Sequence, residues 1–186
     1  MIDLKRLFDI VLSGNGLIFL GWLILILILL AYFDTGEGIF LQKRIGQYGK
    51  PFNIYKISSI KVSSRSISKF GKFLRKSKID ELPQLLNVFL GQMSFVGPRP
   101  DIPGYYDKLE GEDRKILELK PGLTSEASLK YYNEESILKN KDEPLDYNDT
   151  VIFPDKVKMN LEYYYKQSFT EDLRIILKTI SIFFRK

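Results

Sequence analysis

The chain has 186 residues, no His, no Cys, and 28 Lys or Arg against 23 Asp or Glu, giving a net charge of +5. Without Cys there are no disulfides, thiolate nucleophiles or Cys-based metal sites; without His the usual general base near neutral pH, the usual zinc ligand and any phosphohistidine route are excluded. A metal then has to be held by oxygen, which favours Mg²⁺, Mn²⁺ or Ca²⁺, and a covalent nucleophile has to be a carboxylate, a hydroxyl or a lysine amine.

The length suits one domain with a real apolar core. Charge is unevenly spread. Eleven Lys or Arg and no acid lie between Glu37 and Asp80, whereas acids slightly outnumber bases from Asp101 onward. Such a block suits a face that meets phosphates, nucleic acid or acidic lipid headgroups. A solvated basic face is the plainer account of the same residues.

In chain order, the first element is apolar. No charge occurs from Ile10 to Phe33, and Leu17 to Phe33 is strongly hydrophobic. At ~1.5 Å per residue this run covers roughly 26 Å as a helix, barely the ~30 Å of a hydrocarbon layer. A cleaved secretory signal needs small residues after the run, and Tyr32-Phe33-Asp34 follows instead. Lys5 and Arg6 precede the segment, and Lys43, Arg44 and Lys50 follow it. Basic flanks belong on the cytoplasmic side, which favours a hairpin over a spanning helix. A hairpin needs a break, and the candidates are Gly21-Trp22 and, more weakly, residues 13–16 (Ser-Gly-Asn-Gly). Glycine bends a helix only mildly, so the residues alone leave dipping and spanning both open.

Ile39-Phe40-Leu41 and Phe52-Asn53-Ile54-Tyr55 read as short strands joined by a Gly-rich turn. Residues 58–68 are Ser-rich and read as a surface loop, and Lys69 to Arg75 as a short basic helix. Leu82, Leu85, Leu86, Phe89 and Leu90 recur at amphipathic-helix spacing. A charged helix is expected within Pro103 to Gly122, and a polar loop with one short helix across Asn133 to Asn148. Asp155 to Lys166 reads as a helix opened by Pro154. Thr170 is the expected cap of a last helix whose Leu173, Ile176, Leu177, Ile180 and Phe184 share a face. That helix ends in Phe183-Phe184-Arg185-Lys186, a mix that suits a membrane surface as well as ordinary packing.

The candidate site is Asp80-Glu81. Pro83 lacks an N–H and is tolerated only in a helix's first turn, so the two acids should sit at the cap or first turn. There the free N–H groups and the helix dipole keep carboxylates ionised and attract phosphate. Simple capping explains an acid at such a place equally well. The surroundings add Arg75, Lys76 and Lys78 just upstream, and Arg99 between Pro98 and Pro100. A carboxylate can attack an anionic phosphate only where cations screen the repulsion, and Mg²⁺ with Arg and Lys would do so.

The chain resembles the monotopic phosphoglycosyl transferases, the bacterial sugar transferases that begin glycan assembly on a polyprenol phosphate. The resemblance covers nearly the whole chain. It runs through Lys5-Arg6-Leu7-Phe8-Asp9, Gln42-x-Arg44-x-Gly46, Phe52-x-Ile54-Tyr55-Lys56 and Gly71-Lys72-Phe73-Leu74-Arg75. Its core is Asp80-Glu81-Leu82-Pro83-Gln84-Leu85-x-Asn87-Val88, then Met93-Ser94-Phe95-Val96-Gly97-Pro98-Arg99-Pro100, then Lys120-Pro121-Gly122-Leu123-Thr124.

The resemblance implies an α+β, mainly helical fold: a re-entrant N-terminal membrane helix over residues 1–36, then a catalytic domain over 37–186 with interfacial amphipathic helices and a small cytosolic α/β part. It implies Asp80 as nucleophile on the β-phosphate of a UDP-sugar, with release of UMP. Glu81 would hold Mg²⁺ (or Mn²⁺) together with Asp80. Lys56, Arg75, Gln84, Arg99 and Lys120 would bind substrate. Polyprenol phosphate would then attack the phosphosugar–Asp80 intermediate. The expected partners are a UDP-sugar, polyprenol phosphate and membrane lipid, with no nucleic acid and a homodimer as the assembly allowed. The expected location is the cytoplasmic face of a bacterial inner membrane. The rival reading is a non-catalytic membrane-anchored module that binds anionic lipid or nucleic acid.

Several positions depart from the family pattern. Gly21-Trp22 stands where Ser-Pro is usual at the membrane break, Ser58 where an arginine is usual, and Gln92 where an Asp is usual. Ser125-Glu126-Ala127 replaces Gly-Trp-Ala, and the following 130–135 segment points to a subgroup with its own sugar or nucleotide contact surface.

Overall fold

The structure, a computed structural model, describes residues 3–184, with the backbone alone for Phe183 and Phe184. The expected Arg185-Lys186 end lies outside the described residues. The fold is 61% helical with a little sheet, as the mainly helical α+β expectation had it. The chain divides into two compact units, Met1–Arg44 with Pro51–Met93 and Ile45–Lys50 with Ser94–Lys186.

The first unit opens with α1 (Leu4–Thr35), a single helix of 32 residues. It runs without interruption through residues 13–16 and through Gly21-Trp22, so neither expected break point ends the helix. Asp9, Ser13, Ile24, Leu27, Ala31 and Thr35 are its buried residues, a stripe at helical spacing that runs the whole length. Ile18, Phe19, Trp22, Leu25, Leu29 and Phe33 are exposed on the other sides.

The strands β1 (Ile39–Ile45) and β2 (Pro51–Ile57) form a two-stranded sheet, longer at both strands than the sequence suggests. The loop over 58–68 leads to α2 (Lys69–Ser77), capped by Ser68, whose Oγ accepts from the Gly71 N–H at 2.9 Å. A 3₁₀ turn at Ile79–Glu81 and the helix α3 (Gln84–Phe89) close the unit. The end of α1 packs into a small core, Leu27 and Ala31 against Ile57 of β2 and Leu74 of α2.

The start of α1 packs on α3. A Cβ placed on Gly16 would lie 3.1 Å from Leu85 Cδ1, and one on Gly14 3.4 Å from Phe89 Cε2. The small residues that looked like a hinge instead form the seat on which α3 rests. Beside them the Arg6 guanidinium donates to the Val88 and Phe89 carbonyls, each at 2.7 Å. These carbonyls belong to the last turn of α3, where Val88 also accepts from the Gly91 N–H at 2.9 Å. Leu86, Phe89 and Leu90 remain substantially exposed, so the apolar stripe read from the sequence is only partly core.

In the second unit, β3 (Ser94–Val96) and β4 (Gly122–Thr124) pair in parallel, Ser94 opposite Gly122 and Val96 opposite Thr124. Between the strands lie two 3₁₀ turns, Tyr106–Lys108 and Asp113–Glu118, rather than the expected charged α-helix. Gly104 and Gly111, at φ of 108° and 56°, break the helical run. Short helices α4 (Glu126–Lys130), α5 (Glu134–Lys139) and α6 (Pro144–Tyr147) follow, so the polar middle holds more helix than expected. The long helices are α7 (Phe153–Lys166) and α8 (Phe169–Phe184).

Ser168, not Thr170, caps α8: its Oγ accepts from the Glu171 N–H at 3.2 Å. Asp172 and Ile175 face inward, while Leu173, Leu177 and Ile180 form an exposed apolar stripe. One core gathers Ile45, Tyr106, Ile116, Leu117 and Val157, and another Val96, Leu119, Tyr163 and Ile175.

Replacing Arg6 by Lys keeps the charge but removes the fork that spans two carbonyls. Thermal unfolding of the detergent-solubilised protein should register a loss of about 1.5–3 kcal/mol, the range for hydrogen bonds to a charged group. An unchanged midpoint would mean that the Arg6 contacts contribute nothing to the fold.

Candidate active site

The acid pair occupies a turn of its own. Lys78 caps α2 in the left-handed region, at φ 58° and ψ 14°, which turns the chain sharply. Asp80 and Glu81 then lie in the 3₁₀ turn, and Pro83 precedes α3. The N–H groups of Glu81 and Leu82 are committed to the Lys78 and Ile79 carbonyls, at 3.1 Å each. Those of Leu85 and Leu86 go to Leu82 and Pro83, at 3.0 Å each. The backbone donors that the sequence offered to the carboxylates are thus largely spent on the turn itself.

Asp80 is only 7% exposed, and its Oδ1 is buried with no hydrogen-bond partner. Burial, and next the Glu81 charge, push its carboxyl above the ordinary 3.8, against the opposing pull of Lys56, Lys78 and Arg75. The helix start thus does not lower the Asp80 carboxyl, because burial outweighs the nearby cations. Glu81 is held differently: Lys56 Nζ donates to its Oε1 at 3.1 Å, with both side chains largely enclosed.

The structure therefore brings Lys56, Arg75 and Lys78, three residues of the basic block, around Asp80 and Glu81. Gln84 is 2% exposed, with its Nε2 unpartnered, and so is a buried neighbour of the pair in sequence rather than a surface contact. Arg99 and Lys120 belong to the second unit, where parallel β3 and β4 bring their flanking residues together. The Gly122 N–H donates to the Pro98 carbonyl at 2.9 Å. A Cβ on Gly97 would meet the Lys120 carbonyl oxygen at 2.2 Å, so only glycine permits that approach.

Sequence reasoning named Asn87 in the core motif but gave it no role; it is fully buried and spans α3 and β2 through its carboxamide. Its signal was a polar side chain between the apolar Leu86 and Val88. The 125–135 segment is tied into α7. Lys130 Nζ and the Tyr131 hydroxyl both donate to Asp155 Oδ2 at 2.7 Å, and Lys156 Nζ donates to Glu134 Oε2 at 2.6 Å. Burial, with the Asp155 hydrogen bond next, pushes the Tyr131 hydroxyl up to about 12.

The donor set of the pair is of the oxygen type that a hard divalent cation takes. Asp80 Oδ1 is a buried acceptor without a donor, and a second carboxylate stands beside it in the chain. Among the described residues no three acidic side chains gather in one place. A cation here would take the remainder of its shell from water and phosphate, which is how Mg²⁺ is usually held.

The sequence profile of the bacterial sugar transferases matches residues 2–186. The chain belongs to that family. Relatives of this bacterial sugar transferase include a galactosyl transferase of Streptococcus agalactiae serotype III, 30% identical over 96% of the chain and 41% of the relative. A UDP-glucose:undecaprenyl-phosphate glucose-1-phosphate transferase of Klebsiella pneumoniae is 33% identical over 95% of the chain and 39% of the relative. An uncharacterized sugar transferase of Bacillus subtilis is 31% identical over 95% of the chain and 85% of its own length. The transferase chain thus spans about two fifths of the first two relatives and most of the third.

A carboxyl held above its free value binds its proton more tightly in the folded state. Its contribution to stability therefore falls as pH rises from 3.8 through the raised value. Removing that charge by Asp80→Asn should raise the unfolding midpoint of the metal-free transferase at pH 7, and the gain should vanish at pH 3. Calorimetry across that range checks both; a lower midpoint at pH 7 would mean that the ionised Asp80 is stabilising.

Proposed function

We propose that this transferase moves a sugar 1-phosphate from a UDP-sugar to a polyprenol phosphate such as undecaprenyl phosphate, with release of UMP. The observation that carries this reading is the buried Asp80 oxygen, unpartnered within the protein and surrounded by Lys56, Lys78 and Arg75. In a chain without His or Cys, it is the nucleophile best placed for the chemistry suggested by the relatives' names.

An Asp80 oxygen attacks the β-phosphorus, and the bond to the bridging oxygen breaks, with UMP taking the electron pair. A phosphate oxygen of the polyprenol phosphate then attacks the same phosphorus and expels the Asp80 carboxylate, leaving a polyprenyl diphosphate sugar. Poor solvation keeps the Asp80 carboxylate reactive. Lys56 fixes Glu81 and lowers the local negative charge together with Lys78 and Arg75, so that two anions can approach. Mg²⁺ on Asp80 and Glu81 would add Lewis-acid screening of the diphosphate.

With this assignment, the purified protein should release UMP from at least one member of a UDP-sugar panel when given undecaprenyl phosphate. EDTA should stop the reaction and Mg²⁺ restore it. Asp80→Asn should abolish both UMP release and capture of labelled phosphosugar on the protein, whereas Glu81→Gln should also weaken the metal dependence. Normal turnover by Asp80→Asn would overturn the assignment; silence of the wild type with every UDP-sugar would favour the lipid-binding module.

We further propose that both ends of α1 stay on the cytoplasmic face of the bacterial inner membrane, with the helix unbroken at Gly21-Trp22. Two contacts support this. Arg6, at its start, is bonded to α3, while Ala31, near its end, packs with Ile57 of β2. Because α3 and β2 are themselves joined through Asn87, both ends of α1 belong to one small body. At ~1.5 Å per residue α1 is roughly 48 Å long, more than the ~30 Å hydrocarbon layer, so a crossing would carry its ends apart to opposite faces. The exposed apolar sides of α1 would then face lipid, and the Leu173, Leu177 and Ile180 stripe of α8 would rest at the interface.

Single cysteines at Asp3 and Lys50, in this Cys-free chain, should both resist a membrane-impermeant thiol reagent in intact cells and react once the cells are opened. Labelling of only one in intact cells would mean that α1 crosses the membrane.

A further inference from the structure

Among the described residues β2 has a strand neighbour on one side only. On β2 the Tyr55 N–H donates to Asn87 Oδ1 at 3.1 Å, and the Asn53 carbonyl accepts from Asn87 Nδ2 at 2.8 Å. Backbone groups two residues apart point to the same edge of a strand. The Asn87 carboxamide therefore supplies the donor–acceptor pair that a further strand would have made. The second Nδ2 hydrogen goes to Gln92 Oε1 at 2.7 Å. The Asn87 carbonyl also accepts from the Gln92 and Met93 N–H groups, at 2.9 and 3.2 Å.

Every polar group of Asn87 that these contacts engage is matched, and the residue is 0% exposed. The orientation of the amide is dictated, because a backbone N–H can only donate and a carbonyl can only accept. Immediately after Tyr55 comes Lys56, whose ammonium holds Glu81. Asn87 and the Lys56–Glu81 pair thus both link β2 to the 79–89 segment.

We propose that Asn87, with Gln92 orienting its amide, is a positioning residue that sets the register of β2 and thereby aims Lys56 at the Asp80–Glu81 pair. This rests on the reading of that pair as the reacting carboxylates. Asn87 touches neither acid in the contacts above; it acts through the strand that carries Lys56.

The test uses the full chain in lipid nanodiscs, with steady-state UMP release and hydrogen exchange read on the same samples. Asn87→Leu should lower kcat on the order of 10²-fold, the cost of a displaced catalytic group, with little change in KM for the UDP-sugar. In a Lys56→Met background the same change should lower kcat no further, since the group it positions is gone. Gln92→Leu should lose part of the rate and Gln92→Glu, which keeps the acceptor, should recover most of it. Peptides over 52–57 should exchange faster in Asn87→Leu and not in Lys56→Met, while peptides over 122–130 stay protected as a control on folding. If Asn87→Leu fails to fold, Asn87→Asp serves, since it keeps the volume and removes both donors.

Additive losses in kcat would overturn the inference, as would unchanged exchange over 52–57. If the wild type itself releases no UMP, the reaction proposed above fails instead. Exchange over 52–57 then still decides whether Asn87 holds the strand.

Discussion

Asp80 and Glu81 are adjacent carboxylates on a single turn, and one of them is buried. Removing an ion from water costs several kcal/mol even after the protein relaxes, and a second negative charge beside it adds to that cost. The first unit is arranged around this burden. Lys56 reaches in from β2, Arg75 comes from the last turn of α2, and Lys78 sits in the left-handed residue that joins α2 to the acid turn. These cations reduce the penalty on Asp80 without cancelling it, since its carboxyl remains pushed upward. A site that is costly to the folded chain is a common form of trade between stability and activity.

Such a site needs a rigid frame, and besides α1 the described residues of the first unit offer two short strands, two short helices and the acid turn. The long helix supplies the missing bulk. One stripe of α1 packs on the unit along its whole length, and its glycines let α3 approach closely at one end. Arg6 closes the carbonyl end of α3, while the acid turn precedes the other end. A helix that composition alone presents as a membrane segment thus also fixes the orientation of the segment bearing the carboxylates.

Much of this was legible in the sequence. The strands around Phe52–Tyr55, the basic helix from Lys69, the break at Pro83 and the singular position of Asp80-Glu81 follow from local chemistry: periodicity, turn residues and the missing N–H of proline. What was not legible depends on contacts between distant residues. Arg6 reads as a topogenic charge until Val88 and Phe89 are found beside it. Residues 13–16 read as a hinge because glycine in a helix signals either flexibility or close approach, and only the partner, Leu85 and Phe89, decides which. Burial likewise reversed the expected direction of the Asp80 shift, because a sequence shows that a carboxylate begins a helix but not how the N–H groups there are spent. The expected helix before Gly122 failed for a local reason that was visible, the glycines at 104 and 111, but the charge pattern outweighed them.

The two proline-rich motifs show the same dependence on distance in the second unit. Gly97-Pro98-Arg99-Pro100 and Lys120-Pro121-Gly122 are separate in the chain, each with a basic residue beside a proline. In the fold they are opposite sides of one parallel strand pair. The backbones approach so closely that Gly122 can carry no Cβ without meeting the Gly97 N at 2.1 Å. Each glycine is thus required by the other motif rather than by its own turn. A larger residue at either position would part β3 from β4 and move Arg99 relative to Lys120. The spacing of two cations in the second unit is therefore set by two absent side chains, just as in the first unit the direction of Lys56 is set by the amide of Asn87.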